Sequence, residues 1–456
     1  MQQDVYNQFK NIIDSKRVFD SPEARIASSY DASRKQHLPD VVVKPVNAKE
    51  ISEVLKVAYA NAIPVYTRGA ASSVTGSAVP VKGGIVLDTS LMNRIIEINP
   101  VNLTATVEPG VVVADFQAEV ERQNLFYPPD PASAEFCTIG GNVATGAGGL
   151  RCIKYGTTRD YVLGLEVVLA DGRIIHTGKG TLKRVSGYDL TRLMVGSEGT
   201  LGVFTKIYLK LIPKPRAQST IASFFKDSEQ AIRFSIDLLS KRILPRAMEY
   251  MDALSLKSVA KYKPELQVPP DAQAMLLIEL DGAPNDVDEQ TGETRKLLQD
   301  ANPIMSKRAV SEKEAEYLWS IRKSISAALF SITAQKVSED ICVPRSTISD
   351  ILKVISQIEV SSGIPIATFG HLGDGNFHVN FLVSSVEHEN KLPSALNRLF
   401  TRTIELGGTL SGEHGIGMTK AKYFPLEWGP DEIVIFKQIK QLFDPKNILN
   451  QGKIFG

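Results

Sequence analysis

The chain has 456 residues, 43% of them hydrophobic, with 52 Lys and Arg against 51 Asp and Glu. That length can bury a large core and should divide into two or three domains rather than one. The near balance of charge excludes a basic nucleic-acid-binding surface, and no segment reaches the ~20 uncharged apolar residues of a membrane span.

The polar start, MQQDVYNQFKNIIDSKRVFD, lacks the apolar core of a secretory signal. The reading is a cytoplasmic protein, with peripheral contact at the inner face of a membrane left open. NAKEISEVLKVAYANA repeats apolar residues at helical spacing, and IPVYTRG, GGIVLD and LTATVEPG are short apolar runs broken by Gly and Pro that predict strands. From 131 to 202 glycine becomes dense, in TIGGNVATGAGG, VSGYDL and GSEGTLGV, beside apolar runs such as YVLGLEVVLADGRII. Glycine used this way marks close backbone approach. KLIPKPRAQ, with Pro213 and Pro215, is the candidate linker, giving a first domain over residues 1–215 with its core at about 35–215.

Beyond it, DSEQAIRFSIDLLSKR, AMLLIELDG, NDVDEQTGETRKLLQDA and TISDILKVISQIEVSSG predict helix, strand, helix and helix, an α+β domain over 216–415. The ending, DEIVIFKQIKQLFDPKNILNQGKIFG, predicts a helix and a Pro-containing extension, residues 416–456. Cys137, Cys152 and Cys342 are odd in number and lack paired metal-ligand spacing, so no disulfide and no iron–sulfur centre is expected.

The loop YTRGAASSVTGS follows the strand at Ile63 to Tyr66 and offers Arg68, small residues and hydroxyls. Exposed backbone N–H groups beside an Arg are what a pyrophosphate requires, although short Gly/Ser loops are usually only turns. The loop lacks the spacing of a Rossmann fingerprint or of a P-loop.

Taken with PPDPASAEFCTIGGNVATGAGG, RCIKYGTTRDYVLGLEVVLADG and VGSEGTLGVFTKIYLKLIPKP, it makes the chain resemble the FAD-linked oxidases of the vanillyl-alcohol oxidase superfamily, in motif order and spacing over nearly its whole length. The resemblance is closest to the branch of D-lactate dehydrogenase, D-2-hydroxyglutarate dehydrogenase and the glycolate oxidase catalytic subunit. It implies an α+β fold: a two-subdomain FAD-binding domain, an α+β substrate cap, and a C-terminal segment packing back on the flavin domain. It also implies roles for residues. Arg68, Gly69, Ala70, Ala71, Ser72 and Ser73 would cradle the pyrophosphate. Pro129, Thr138, Gly141, Asn142 and Gly149 would line the flavin and ribityl chain, and Glu198, Gly202 and Val203 the adenosine side. Ala70, Ala71 and Ser73 stand where the family's loop is richer in glycine, and each added Cβ restricts positive φ. No His stands in this loop, so FAD is expected to bind non-covalently.

Of six histidines, His371, His378 and His414 fall in two Gly-rich segments, TFGHLGDGNFHVNF and LSGEHGIGMTKAKYF. On NFHVNF, Asn376, His378 and Asn380 alternate to one face of a strand, opposite Phe377, Val379 and Phe381. His371, His378 and Glu413 could form a two-His, one-carboxylate set for Zn, Mn or Fe; taken singly, each His could equally be a hydrogen-bonded core residue. The branch places its metal ligands and a catalytic His in matching motifs, which implies His371, His378 and Glu413 as ligands and His414 as the base. In EKEAEYLWSIRKSISAAL, Arg322 follows Trp319 by three residues; alone it would read as a solvated helix face, but the branch holds the substrate carboxylate with the Arg of a matching W-x-x-R. Lys336 and Asn380 are the further substrate-binding candidates.

The implied activity is metal-assisted oxidation of a small D-2-hydroxy acid to the 2-oxo acid, of the D-lactate, glycolate or D-2-hydroxyglutarate type. Hydride would pass to flavin N5, and electrons would then pass to a quinone, a cytochrome, an electron-transferring flavoprotein, an iron–sulfur subunit or oxygen. A homodimer is compatible with this reading. Two other classes stay open at this point: a non-catalytic flavin-binding subunit of a larger complex, and a metal-dependent hydrolase using the His/Glu set alone.

Overall fold

Residues 3–455 are described by a computed structural model of the chain. They form two compact units, which the chain enters more than once. Met1–Gly148, Thr157–Lys214 and Glu413–Gly456 make the first, and Gly149–Gly156 with Pro215–Gly412 the second. The stretch around Pro213 and Pro215 is ordered rather than slack. Ile212–Pro213 pairs with Leu125–Phe126, and the strand Ala217–Phe225 begins two residues after Pro215.

In the first unit, Asn47 caps the helix Ala48–Ala60 by accepting from the Glu50 amide at 2.9 Å, and the helix buries Ile51, Val54, Leu55 and Ala58. It feeds a four-stranded sheet in the order Val18–Phe19, Val41–Val43, Ile85–Asp88, Val65–Arg68. The last three strands are parallel. Parallel ladders bury both faces, which is why VVV and IVLD read as unbroken apolar runs. A second sheet is antiparallel, in the order Ile95–Asn99, Thr104–Val107, Val203–Lys210, Val162–Val168, Ile174–His176. The end of the chain extends the first sheet: the Val65 amide donates to Ile448 O at 2.7 Å, and the Asn450 amide donates to Val65 O at 2.8 Å.

The second unit is built on one antiparallel sheet of seven strands, in the order Met305–Arg308, Ala217–Phe225, Ala274–Gly282, Ala247–Asp252, Ile366–His371, Asn376–Val383, Gln335–Cys342. The helices Ala253–Tyr262 and Glu312–Phe330 close one face over Phe224, Met251, Met275, Leu277 and Phe369, the second helix contributing Ile321 and Ile325 to the same core. On that same face the register sets Glu249, His371 and Asn376 in one row, with His378 and Asp340 in the next. A line of polar groups therefore borders an apolar core. The opposite face carries Tyr250 and Phe377, edge to face at 6.1 Å, with Tyr250 bonded to Ser228 at the start of the helix Ser228–Ser240. Lys154 donates to Asp281 at 2.5 Å and Tyr155 to the same carboxylate at 2.8 Å, which ties Gly149–Gly156 to this sheet. Among the described residues no helix is long and apolar enough to cross a membrane.

Candidate active site

In the second unit the chain reverses from His371 through residues 372–375 into the strand Asn376–Val383. Gly375 stands at φ +81°, and a Cβ there would meet Val343 O at 2.0 Å, so this turn admits only glycine. The hairpin sets the imidazoles of His371 and His378 diagonally across the ladder, ring centroids 5.4 Å apart and planes at 90°. A ligand atom of His378 lies within 4.8 Å of one on His371 and of one on the Asp340 carboxylate. Both imidazoles are buried, and Asp340 is fully so.

The alternation read from NFHVNF is present, and its polar members are tied down. Asn376 donates to Asp340 at 2.6 Å and to Ile341 O at 2.9 Å, while Asn380 donates to His378 O and Ala367 O at 2.9 and 3.2 Å. Asn380 is completely buried, and its only described bonds run to the backbone. Ser411 donates to the other oxygen of Asp340 at 2.6 Å.

Two carboxylates of this set lay outside the reach of sequence motifs. Glu249, on the strand Ala247–Asp252, is directly opposite His371, meets its Nδ1 at 2.5 Å, and accepts from Arg322 Nε at 2.7 Å. Burial alone would raise the Glu249 pKa, but the adjacent His371 and Arg322 outweigh it and hold the carboxyl below its usual range. The only sequence signal was an acid inside the buried run AMEYMD. Asp340, inside SEDIC, gave a signal of the same kind and is used the same way.

Arg322 reaches Glu249 from the helix Glu312–Phe330, with its guanidinium 4.6 Å above the Phe369 ring. Its Nε is committed, and its terminal nitrogens have no hydrogen bond among the described residues. Trp319, one turn earlier, donates to Glu279 at 3.0 Å. Lys336 sits two rows beyond His378 on the sheet, donates to Ser326 at 2.9 Å and covers the Phe330 ring at 4.9 Å. Gly149 is buried in the Gly149–Gly156 piece of this unit.

In the first unit, the loop after Val65–Arg68 is a cradle of backbone amides. From Ala70 to Ser77 the Thr75 amide is the only one that donates among the described residues, to the Ser73 hydroxyl at 3.2 Å. Ala71 takes φ +53°, the left-handed turn that glycine would supply more cheaply. Half-buried amides lacking acceptors suit an anion such as a pyrophosphate. Arg68 turns two nitrogens to Tyr30 O and Ala27 O, at 2.7 and 3.3 Å. Thr138 caps the helix Ile139–Thr145 through the Gly141 amide, Asn142 is buried on that helix, and Pro129 O accepts from Gln117 at 2.8 Å.

Glu198 is a buried clamp at φ +50°. It accepts from the amides of Ile416 and Gly417 at 2.7 and 2.8 Å and from Ser77 Oγ at 3.1 Å, and burial raises its pKa above the usual value. The segment carrying Glu413 and His414 is thereby fixed within its own unit: Thr75 Oγ1 donates to His414 O at 3.4 Å, and the Met418 amide to Thr75 O at 2.9 Å. Gly202 leaves room for Val167, whose Cγ1 a Cβ would meet at 2.4 Å. The Val203 side chain belongs to the core, so only its backbone is available to a nucleotide.

Comparison with known proteins bears on both units. Residues 39–178 match the family described as FAD binding domain, and residues 214–454 match FAD linked oxidases, C-terminal domain. The glycolate oxidase subunit GlcD of Bacillus subtilis is 40% identical over 455 residues, 99% of this chain and 97% of that protein. The D-lactate dehydrogenase of Archaeoglobus fulgidus is 38% identical over 414 residues, 91% of each chain. Among solved structures, p-cresol methylhydroxylase with substrate bound superimposes with a TM-score of 0.81 at 18% identity, covering 99% of this chain and 96% of that one. The fold is therefore the α+β fold of the vanillyl-alcohol oxidase type.

Proposed function

The chain belongs to the FAD-linked oxidase family and is an oxidoreductase, and from that premise we propose that it oxidises a small D-2-hydroxy acid to the 2-oxo acid. The observation that carries the substrate class is Arg322. It is a buried cation fixed through Nε and over an aromatic ring, with its terminal fork left for a carboxylate, carried by a helix over the sheet face that holds two histidines. The names of the two relatives, a glycolate oxidase subunit and a D-lactate dehydrogenase, support the same class. Family membership sets aside the hydrolase reading and the non-catalytic one.

FAD would be held by the amides of Gly69 to Ser73 beside Arg68, with Pro129, Thr138, Gly141, Asn142 and Gly149 lining it. A divalent metal would be held by His371, His378 and Glu413. When bound, the flavin supplies a two-electron acceptor and the metal a Lewis acid for the substrate hydroxyl. The donor set suits that metal: Glu249 meets Nδ1 of His371, so coordination would run through Nε2, the carboxylate–histidine arrangement that fixes the tautomer. Glu413 follows Gly412 on the chain, two residues past the Ser411 that bonds Asp340.

The roles of the chain's own groups follow. Arg322 orients the substrate carboxylate, with Lys336 and Asn380 as further groups of the same sheet face. Glu249 holds Arg322 and His371 at once, so that the carboxylate and hydroxyl sites keep a fixed spacing. His414, on a backbone clamped by Glu198 and Thr75, takes the hydroxyl proton. Electrons leave to a quinone, a cytochrome, an electron-transferring flavoprotein or an iron–sulfur subunit. Bleaching of the flavin absorbance under anaerobic conditions tests the reading: D-lactate, glycolate or D-2-hydroxyglutarate should bleach it, and L-lactate should not. A flavin that stays oxidised with every chirally pure 2-hydroxy acid would overturn it.

A further inference from the structure

The end of the chain runs beneath the loop read above as the pyrophosphate cradle, and it places a buried ammonium there. Lys453 is 3% exposed and donates to Gly76 O at 2.6 Å and Val79 O at 2.7 Å, with its nitrogen 5.8 Å from the Tyr66 ring centre. Three residues earlier, Asn450 donates to Ser77 O at 3.2 Å and to Glu198 O. Each contact is made to a carbonyl of the loop or its neighbour. In a trans peptide the carbonyl and the following N–H point opposite ways. Fixing Gly76 O on Lys453 thus turns the Ser77 amide away from the interior, and that amide has no acceptor among the described residues.

The charge itself calls for an explanation. Two acids, Asp31 and Glu198, act on Lys453 at longer range, and the only described hydrogen bonds of its ammonium are the two to carbonyls. An ammonium buried without a bonded counter-ion costs several kcal/mol. Burial accordingly pushes Lys453 down to about 8, against the pull of those two acids. An anion resting on the outer side of the loop would offset this cost. The loop also carries Ala70, Ala71 and Ser73, with Ala71 at φ +53°, and each Cβ leaves its backbone fewer ways to wrap a phosphate by itself.

We propose that Lys453 is a determinant of FAD affinity: it holds the carbonyl side of the loop, so that the amides face the pyrophosphate, and supplies a fixed positive charge behind them. This rests on the reading of the loop that runs to Ser77, with Arg68 to Ser73 as its pyrophosphate cradle. Asp31, Glu198 and Tyr66 are the titratable groups that face the ammonium, and none of them supplies a positive charge.

The test uses full-length protein stripped of flavin, as wild type, Lys453→Met and Lys453→Arg, titrated with FAD by flavin fluorescence and with ADP, which carries a pyrophosphate without the flavin. Lys453→Met should weaken both ligands by about 10- to 100-fold. The urea midpoint of its flavin-free form should not fall, because an uncompensated charge has been removed. Lys453→Arg should recover much of the affinity. In the wild type FAD should bind more weakly as the pH is raised well above neutrality, and in Lys453→Arg this decline should be absent. Unchanged affinity in Lys453→Met would overturn the proposal. So would a loss of FAD that merely follows a fall in the flavin-free stability, or a wild-type affinity that stays level with pH. Wild-type protein that binds no FAD would instead strike at the loop assignment.

Discussion

Replacing Glu249 by Gln keeps the shape of the side chain and removes the charge between His371 and Arg322. In the structure that charge accepts from Arg322 Nε at 2.7 Å and meets His371 Nδ1 at 2.5 Å, with no exposure of the carboxylate side chain. Hydrogen bonds to charged groups are worth about 1.5 to 3 kcal/mol each. Removing one partner of a buried pair costs about 3 to 5 kcal/mol, because the remaining ion stays desolvated. Gln keeps one good acceptor and turns an amide donor towards the other partner, so a net loss of about 3 kcal/mol is expected. For a unit of this size that lowers the thermal midpoint by about 6 to 12 °C. The carboxylate is also the group that sets the His371 tautomer, and loss of such a support costs about 10- to 100-fold in metal affinity. Calorimetry of the metal-free protein and titration with Zn²⁺ or Mn²⁺ measure the two effects separately. A midpoint within about 1 °C of wild type would refute the energetic argument, since even half the expected loss exceeds that shift. A lowered midpoint with unchanged metal affinity would leave Glu249 a purely structural counter-ion and remove its link to the metal.

Four further outcomes are expected. Acid or heat denaturation should release intact FAD into the supernatant, because the loop from Arg68 to Ser77 holds no His; flavin in the pellet contradicts this. Exhaustive chelation should abolish turnover while the protein stays yellow, with Zn²⁺ or Mn²⁺ restoring it, and full activity in metal-free protein counts against His371, His378 and Glu413 as ligands. His414→Ala should retain flavin and metal yet slow flavin reduction in single-turnover mixing by about 10² to 10⁴-fold, whereas Arg322→Ala should chiefly raise the substrate Kd. Lys453 gives a pH signature. Its folded-state pKa of about 8 lies below the unfolded value of ~10.4, so between them the unfolded chain binds the extra proton and flavin-free stability rises with pH, by an amount on the order of 3 kcal/mol. Urea midpoints at each end of that window should differ in wild type and much less in Lys453→Met.

Local rules made much of this protein legible from its sequence. The 3.6-residue repeat of NAKEISEVLKVAYANA, capped by Asn47, is the helix Ala48–Ala60, and the two-residue alternation of NFHVNF is the strand Asn376–Val383 with its histidine on the polar face. Such patterns are periodic because each element buries one face, and no partner need be known to see them. Glycine-rich motifs marked both units for the same reason: a turn at φ +81°, as at Gly375, leaves a trace in residue type. What a side chain meets across the fold leaves no such trace. Glu249 and Asp340 are ordinary acids in apolar runs until the ladder sets them against His371 and His378, 122 and 38 positions away along the chain. Glu198 stands in a glycine-rich motif and Lys453 in the extension after the last helix, yet only tertiary folding turned one into a clamp on the Ile416 and Gly417 amides and put the other beneath a loop 377 residues earlier. A buried charge must find its partners wherever the chain folds back, and sequence distance carries no record of where that is.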